Sequence, residues 1–74
     1  MMGEELRKAR ERAGLTQEAL SFQAGVSRPC ISQLERNLKS PTVATLFLIC
    51  DALKVREADI VRRVDAARKR QAGP

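Results

Sequence analysis

The 74-residue sequence carries 14 Lys and Arg against 9 Asp and Glu, a net charge of +5, with two Cys and no His. This length supports one modest hydrophobic core, and two Cys without His argue against a zinc site, which needs about four such ligands. No stretch approaches the roughly 20 apolar residues of a membrane span, and the N-terminus does not resemble a secretory signal. We therefore expect one cytoplasmic domain whose positive charge suits a phosphate-bearing partner.

The first predicted helix runs from about Glu4 to Ala13 and ends at Gly14. Its apolar side chains recur at the spacing of a buried helix face. Arg10 falls on this face, and Glu35 lies on the core-facing edge of the third predicted helix. Because an isolated buried charge is costly, we predict that Arg10 and Glu35 form a structural ion pair. The alternative is that both side chains extend to solvent.

A second and a third helix follow, separated by a tight turn at Gly25. Thr16 and Ser27 are the expected N-caps of the two helices. Pro29 fits the first turn of the third helix, where its missing N–H costs little. Two helices joined by a short Gly-containing turn form a helix-turn-helix unit, whose second helix can enter the DNA major groove.

The third helix has a polar and an apolar face. At about 100° per residue, five side chains fall within an arc of about 140°. This polar face consists of Arg28, Pro29, Ser32, Gln33 and Arg36. The opposite face consists of Cys30, Ile31 and Leu34. Since Arg can bond the edge of guanine and Gln the edge of adenine, we predict that the polar face reads base pairs. The alternative is an ordinary solvated helix face.

A fourth helix is expected from its N-cap Thr42 to about Leu53, and a fifth from about Arg56 to Arg70. We expect residues 71–74 to form a frayed tail and the core to span about residues 4–61. The predicted core stripe of the fourth helix consists of Val43, Leu46, Ile49, Cys50 and Leu53. No segment shows the alternation of a strand, so the sequence predicts an all-α bundle of five helices.

The last two helices carry more apolar surface than one small core can bury. Phe47 lies at the edge of the core stripe, Leu48 points away from it, and the fifth helix adds a second stripe. We predict that a symmetric dimer buries this surface, which consists of Phe47, Leu48, Ile60, Val61 and Val64. The alternative is that these are scattered apolar residues of an ordinary surface.

Between about Leu6 and Ile60 the sequence closely resembles the Cro/C1-type (XRE-like) helix-turn-helix family. The resemblance is carried by Gly14-Leu15-Thr16-Gln17-Glu18, Ala24-Gly25-Val26-Ser27-Arg28, Ile31-Ser32-Gln33-Leu34-Glu35-Arg36 and Ser40-Pro41-Thr42. The family includes phage repressors, small bacterial regulators and the controller proteins of restriction–modification systems.

The resemblance implies a compact, lambda-repressor-like bundle that occupies residues 1–74 as one domain. It implies a transcriptional regulator that binds a pseudo-palindromic operator in double-stranded DNA as a homodimer, with RNA polymerase as a further candidate partner. Base-reading positions fall on Arg28, Pro29 and Gln33, with Ser32 nearby. Phosphate contacts fall on Thr16, Gln17, Arg36, Asn37 and Lys39. In the family, the residue equivalent to Gln17 also braces the first base-reading residue, here Arg28, and the buried ion pair falls on Arg10 and Glu35.

Two other functional classes compete with DNA binding. An enzyme is not expected, because the sequence lacks His, a Gly-rich phosphate loop and a nucleophile–base pair, and nothing in it calls for a cofactor. A helical protein-interaction module, similar to an antitoxin and without a specific DNA site, is the stronger alternative. No small-molecule ligand is expected, since the DNA-binding unit and the predicted dimer surface use the whole chain. A redox role for Cys30, at the start of the third helix, stays open.

Overall fold

The computed structural model describes residues 2–72, with side chains through residue 69. Five α-helices and no strand make up this part of the chain, which confirms the predicted all-α class. The helices are α1 (Met2–Arg12), α2 (Gln17–Ala24), α3 (Arg28–Glu35), α4 (Val43–Leu53) and α5 (Glu57–Ala72). None of these five helices is long and apolar enough to cross a membrane.

Two helix ends differ from the prediction. α1 begins at Met2 rather than near Glu4, because a residue distant in sequence binds its first turn, as described below. α5 continues through residues 71 and 72, which we expected in a frayed tail. These are Gln and Ala, both good helix formers, and the basic residues before them suit the negative end of the helix dipole. Gly73 and Pro74, the rest of that predicted tail, lie outside the described residues.

Hydroxyl side chains cap the N-termini of three helices. Thr16 Oγ1 accepts a hydrogen bond from Ala19 N at 3.0 Å, and Ser27 Oγ accepts one from Cys30 N at 3.2 Å. Thr42 Oγ1 does the same for the backbone N–H three residues on, at 3.1 Å. All three predicted N-caps are confirmed, and each contributes about 1 kcal/mol by satisfying an N–H that the helix leaves unpaired.

All five helices contribute apolar side chains to a single core. Its buried members are Leu6, Ala9, Leu20, Ala24, Ile31, Leu34, Ile49, Cys50, Leu53 and Ile60. Val43, expected in the core stripe of α4, is instead 71% exposed, because it occupies the first position of that helix. Ile60, expected on the dimer surface, is only 1% exposed and packs inside its own subunit. The predicted dimer surface therefore loses this residue.

The packing order of the helices fixes the orientation of α3. α2 packs against α3 and α4, while α1 packs against α3 and α5, and α4 also contacts α5. α3 is thus supported from behind by both α1 and α2. Its opposite face has no neighbouring helix to cover its central positions, which leaves that face open to solvent.

Candidate nucleic-acid interface

The turn between α2 and α3 is closed by hydrogen bonds to one residue. Gly25 N and Val26 N both donate to Ser21 O, at 3.0 and 3.2 Å, and the Ser21 hydroxyl donates to Val26 O. Gly25 has a φ of 69°, a conformation that suits glycine because it has no Cβ. The three contacts hold α2 and α3 at a set angle, which is the structural requirement of a helix-turn-helix unit.

The two faces of α3 separate as the residue spacing predicts. Ile31 and Leu34 are buried in the core, and Cys30 is half-buried beside it. On the outer face four side chains are exposed and one, Ser32, is half-buried. The four exposed side chains are Arg28, Pro29, Gln33 and Arg36. Guanidinium, amide and hydroxyl groups are thus gathered on one solvent-facing surface, and Pro29 adds an apolar contact there.

Behind this face, Arg10 and Glu35 form a bidentate ion pair. Arg10 Nε donates to Glu35 Oε2 at 2.7 Å and Nη2 donates to Glu35 Oε1 at 3.0 Å. Arg10 Nη1 also donates to Leu15 O at 2.8 Å. The hydrogen bond to Glu35 raises the pKa of Arg10 above its usual value. The Glu35 side chain is only 4% exposed, so the pair joins α1 to the end of α3 through nearly dry surroundings.

The Gln17 side chain hydrogen-bonds to the buried Glu35 carboxylate. Its Nε2 donates to Glu35 Oε1 at 3.1 Å. The side-chain amide is therefore a third donor to the buried carboxylate, and Gln17 lines the same cleft as Arg28. A carboxylate offers about four acceptor positions, and Arg10 fills only two of those on Glu35.

An open cleft lies where α2 begins. Its volume is about 340 Å³, and it is lined by Arg10, Thr16, Gln17, Glu18 and Arg28. The first backbone N–H groups of α2 have no partner within the helix, and they carry the positive end of its dipole. With the guanidinium of Arg28 at the same cleft, this arrangement is suited to an anion such as a phosphate.

The segment after α3 reverses the chain in a Schellman motif. Asn37 N donates to Leu34 O at 3.2 Å and Leu38 N donates to Gln33 O at 2.9 Å. Asn37 takes the left-handed conformation that this motif requires, with a φ of 58°. Its Oδ1 also accepts a hydrogen bond from Gly3 N at 3.0 Å. Sequence reasoning missed this contact, because it joins residues 34 positions apart.

Four residues of the predicted dimer surface are at least partly exposed on the subunit. Phe47 and Leu48 are each 48% exposed, Val61 is exposed, and Val64 is half-buried. Sequence reasoning missed a further apolar side chain, Phe22 on α2, which is 89% exposed. The signal for it was present, since a large aromatic residue lies off the core-facing positions of α2.

Much of the positive charge on α5 is paired along the helix. Arg62 pairs with Asp59, and Asp65 accepts from Arg68 at 2.8 Å and lies 3.2 Å from Lys69 Nζ. The hydrogen bonds from Arg68 and Lys69 lower the pKa of Asp65. Such exposed pairs add little stability, but they reduce the local positive charge. The Arg70 side chain lies outside the described residues, and residues 2–69 hold no cluster of three potential metal ligands.

Comparison with known proteins agrees with this geometry. A helix-turn-helix family model matches residues 6–60. The chain is 35% identical over 88% of its length to the uncharacterized HTH-type transcriptional regulator y4dJ of Sinorhizobium fredii, of which it covers 84%. Among solved structures it superposes on the clp gene regulator ClgR from Corynebacterium glutamicum with a TM-score of 0.90 and 31% identity, covering 96% of this chain and 76% of that one.

A second similar structure was solved with a bound operator. The P22 c2 repressor protein in complex with a synthetic operator superposes with a TM-score of 0.75 and 33% identity, covering 81% of this chain and 91% of the repressor. The family match spans more than half of the sequence and includes α2, the turn and α3. The chain therefore belongs to the Cro/C1-type (XRE) helix-turn-helix family of transcriptional regulators.

Proposed function

We propose that the protein binds a specific site in double-stranded DNA by inserting α3 into the major groove. The observation that carries this proposal is the exposed polar face of α3, held from behind by the buried Arg10–Glu35 pair. A rigid helix that presents guanidinium and amide groups can form hydrogen bonds with the edges of bases. The likeness to a repressor solved with its operator supports the same partner.

Four of the five side chains of the polar face have distinct proposed roles inside the groove. Arg28 donates to the O6 and N7 atoms of guanine, and Gln33 bonds the N6 and N7 atoms of adenine. Ser32, which is half-buried beside them, adds a hydroxyl within reach of either base or backbone. Pro29 offers only apolar contact, for which the methyl group of thymine is the matching partner.

Phosphate groups on either side of the groove are the proposed partners of a second set of residues. At the start of α2 these are the Thr16 hydroxyl and the backbone N–H of Gln17, since the Gln17 side chain is already bonded to Glu35. Beyond α3 they are Arg36, Asn37 and Lys39, all exposed. These contacts set affinity and orientation, whereas the base contacts set sequence preference.

We further propose that the active form is a symmetric homodimer. The surface for it consists of Phe47, Leu48, Val61 and Val64, without Ile60. A two-fold pair of subunits would place two recognition helices one DNA turn apart, about 34 Å, and so match a pseudo-palindromic operator. In this assembly the protein acts as a cytoplasmic regulator, either a restriction–modification controller or a phage or plasmid repressor, with RNA polymerase as its partner where it activates.

Duplex binding measured against salt concentration tests the proposal. Affinity for a duplex selected from a random pool should fall with a log–log slope of about −0.9 per phosphate neutralised. A Lys39→Ala variant should weaken all duplexes evenly and reduce that slope by about 0.9. Equal affinity for the selected duplex and a scrambled duplex of the same composition would overturn the proposal. A folded protein without measurable duplex affinity would instead favour the protein-interaction module.

A further inference from the structure

We propose that Asn37 is a positioning residue that makes the N-terminus of α1 part of the DNA-binding machinery. This inference rests on the proposed function. The Oδ1 atom of Asn37 fixes the first turn of α1 against the end of α3. The same contact orients the Nδ2 atom of Asn37 as a donor to a DNA phosphate. We call the contact between Gly3 N and Asn37 Oδ1 the clasp.

The clasp joins two helix ends that complement each other. Gly3 lies in the first turn of α1, where backbone N–H groups have no partner within the helix. Asn37 Oδ1 provides the missing acceptor at 3.0 Å. The positive end of the α1 dipole thereby meets the negative end of the α3 dipole, an arrangement that is favourable at both ends.

Glycine at position 3 allows the close approach of the two backbones. A Cβ atom at this position would lie 2.4 Å from Leu34 O and 2.5 Å from Glu35 O, both backbone atoms in the last turn of α3. Contacts this short require one of the two helices to move. A side chain at position 3 would therefore displace α1 from α3, although it would add nothing to the polar face of α3.

The clasp has a consequence for the other end of the Asn37 amide. Because the carboxamide is planar, holding Oδ1 on Gly3 also fixes where Nδ2 lies. Within residues 2–69, Nδ2 has no hydrogen-bond acceptor, and Asn37 is exposed to solvent. The left-handed φ of 58° further limits the motion of this residue. The result is a preoriented donor beside the exposed Arg36, at the end of the recognition helix.

Three variants separate the two roles of Asn37. Asn37→Asp keeps an acceptor for Gly3 but replaces the Nδ2 donor with a negatively charged oxygen. Asn37→Gly accepts the left-handed φ at no steric cost but removes both groups. Gly3→Ala leaves Asn37 unchanged and introduces the clash with α3. Hydrogen exchange of the backbone amide at position 3 reports the clasp in each protein, and duplex affinity reports DNA binding.

Asn37→Asp should leave the exchange rate of the Gly3 amide near that of the parent protein. Its duplex affinity should fall at least about tenfold, because a hydrogen bond to a charged group is lost and the new carboxylate repels the phosphate. Asn37→Gly should raise that exchange rate about fivefold, the value of one neutral hydrogen bond, and also lose affinity. Folded Gly3→Ala should bind more weakly with its sequence preference unchanged.

Unchanged Gly3 exchange in Asn37→Gly would show that the clasp does not form in solution. Parent affinity in Asn37→Asp would refute the phosphate contact, and parent affinity in folded Gly3→Ala would refute the positioning role. If Gly3→Ala does not fold, the two Asn37 variants still decide. A parent protein that binds no duplex would defeat the proposed function and the positioning role together, whereas the exchange data would still show whether the clasp exists.

Discussion

Glu35 connects α3 to the two helices that pack behind it. Its carboxylate accepts two hydrogen bonds from Arg10 in α1 and one from Gln17 in α2. One buried side chain of α3 is therefore joined to both of the helices that support it. A buried ion pair adds little net stability compared with apolar packing, but the loss of one partner leaves an uncompensated charge.

Replacing Glu35 should destabilise the fold strongly. Glu35→Ala strands the Arg10 guanidinium, and we expect a loss of about 3 kcal/mol in the free energy of unfolding, or more than about 10 °C in melting temperature. The matched control is Glu18→Ala, an exposed carboxylate on α2, which should change the free energy by about 0.5 kcal/mol or less. Chemical denaturation measures both. Similar small effects for the two variants would contradict the structural role of the pair.

The two cysteines should differ in reactivity. Cys50 is fully buried, and desolvation raises the pKa of its thiol to about 11. Because the thiolate is the nucleophile, Cys50 should resist iodoacetamide in the folded protein at pH 8. Cys30 is half-buried and should be modified first. Peptide mass spectrometry after timed labelling distinguishes them, with denatured protein as the control. Equal labelling of both residues under native conditions would contradict the assigned burial.

At the scale of single residues, the sequence predicts contacts that follow from one strong constraint. The Arg10–Glu35 contact could be foreseen, because a charge on a buried apolar face is costly unless it pairs with an opposite charge. The Gln17–Glu35 contact could not be foreseen from the sequence. An amide side chain at the N-terminus of a helix has several suitable partners, and only the packed structure selects one of them. The burial of Ile60 likewise depends on which side of α5 faces α1, and the helical spacing alone leaves that undecided.

At the scale of helices, the ends that are set by nearby residues can be predicted from the sequence, whereas the ends that are set by distant residues cannot. The N-caps Thr16, Ser27 and Thr42 were predictable, because a cap bonds an N–H three residues away in sequence. The start of α1 was not, because Asn37 binds its first turn from a distant part of the chain. Helix boundaries set by neighbours in space are thus the ones that the sequence predicts least well.

The exposed apolar side chains of α4 test the proposed dimer. Phe47→Glu and Leu48→Glu each place a charge on the proposed interface, and we expect both variants to sediment with the mass of one chain under conditions where the parent is dimeric. Phe22→Glu is the matched control, because it makes the same change at an exposed aromatic residue on α2. Sedimentation equilibrium gives the mass of each. Dimers of both α4 variants together with a monomeric Phe22→Glu would move the interface to α2.

At the scale of the whole molecule, the fold directs one face of α3 outward, with α1 and α2 packed directly behind that helix and α4 and α5 packed against those two. Ile31, Leu34 and Glu35 anchor α3 from within, so its outer face is set by the core rather than by the partner. Because this helix face is already fixed by the core, it would lose little conformational entropy on binding a ligand. The sequence predicts this arrangement well because its constraint, helix periodicity, extends over the entire helix.

Selection of bound duplexes from a random-sequence library, carried out with the parent and with Gln33→Ala, tests the central claim most directly. We expect the parent to enrich a pseudo-palindrome whose half-sites lie one DNA turn apart. Gln33→Ala should enrich the same site with preference lost at one symmetric position in each half, at a cost of about 1–3 kcal/mol for that contact. An unchanged preference at every position in Gln33→Ala, or no enriched sequence with the parent, would contradict base reading by α3.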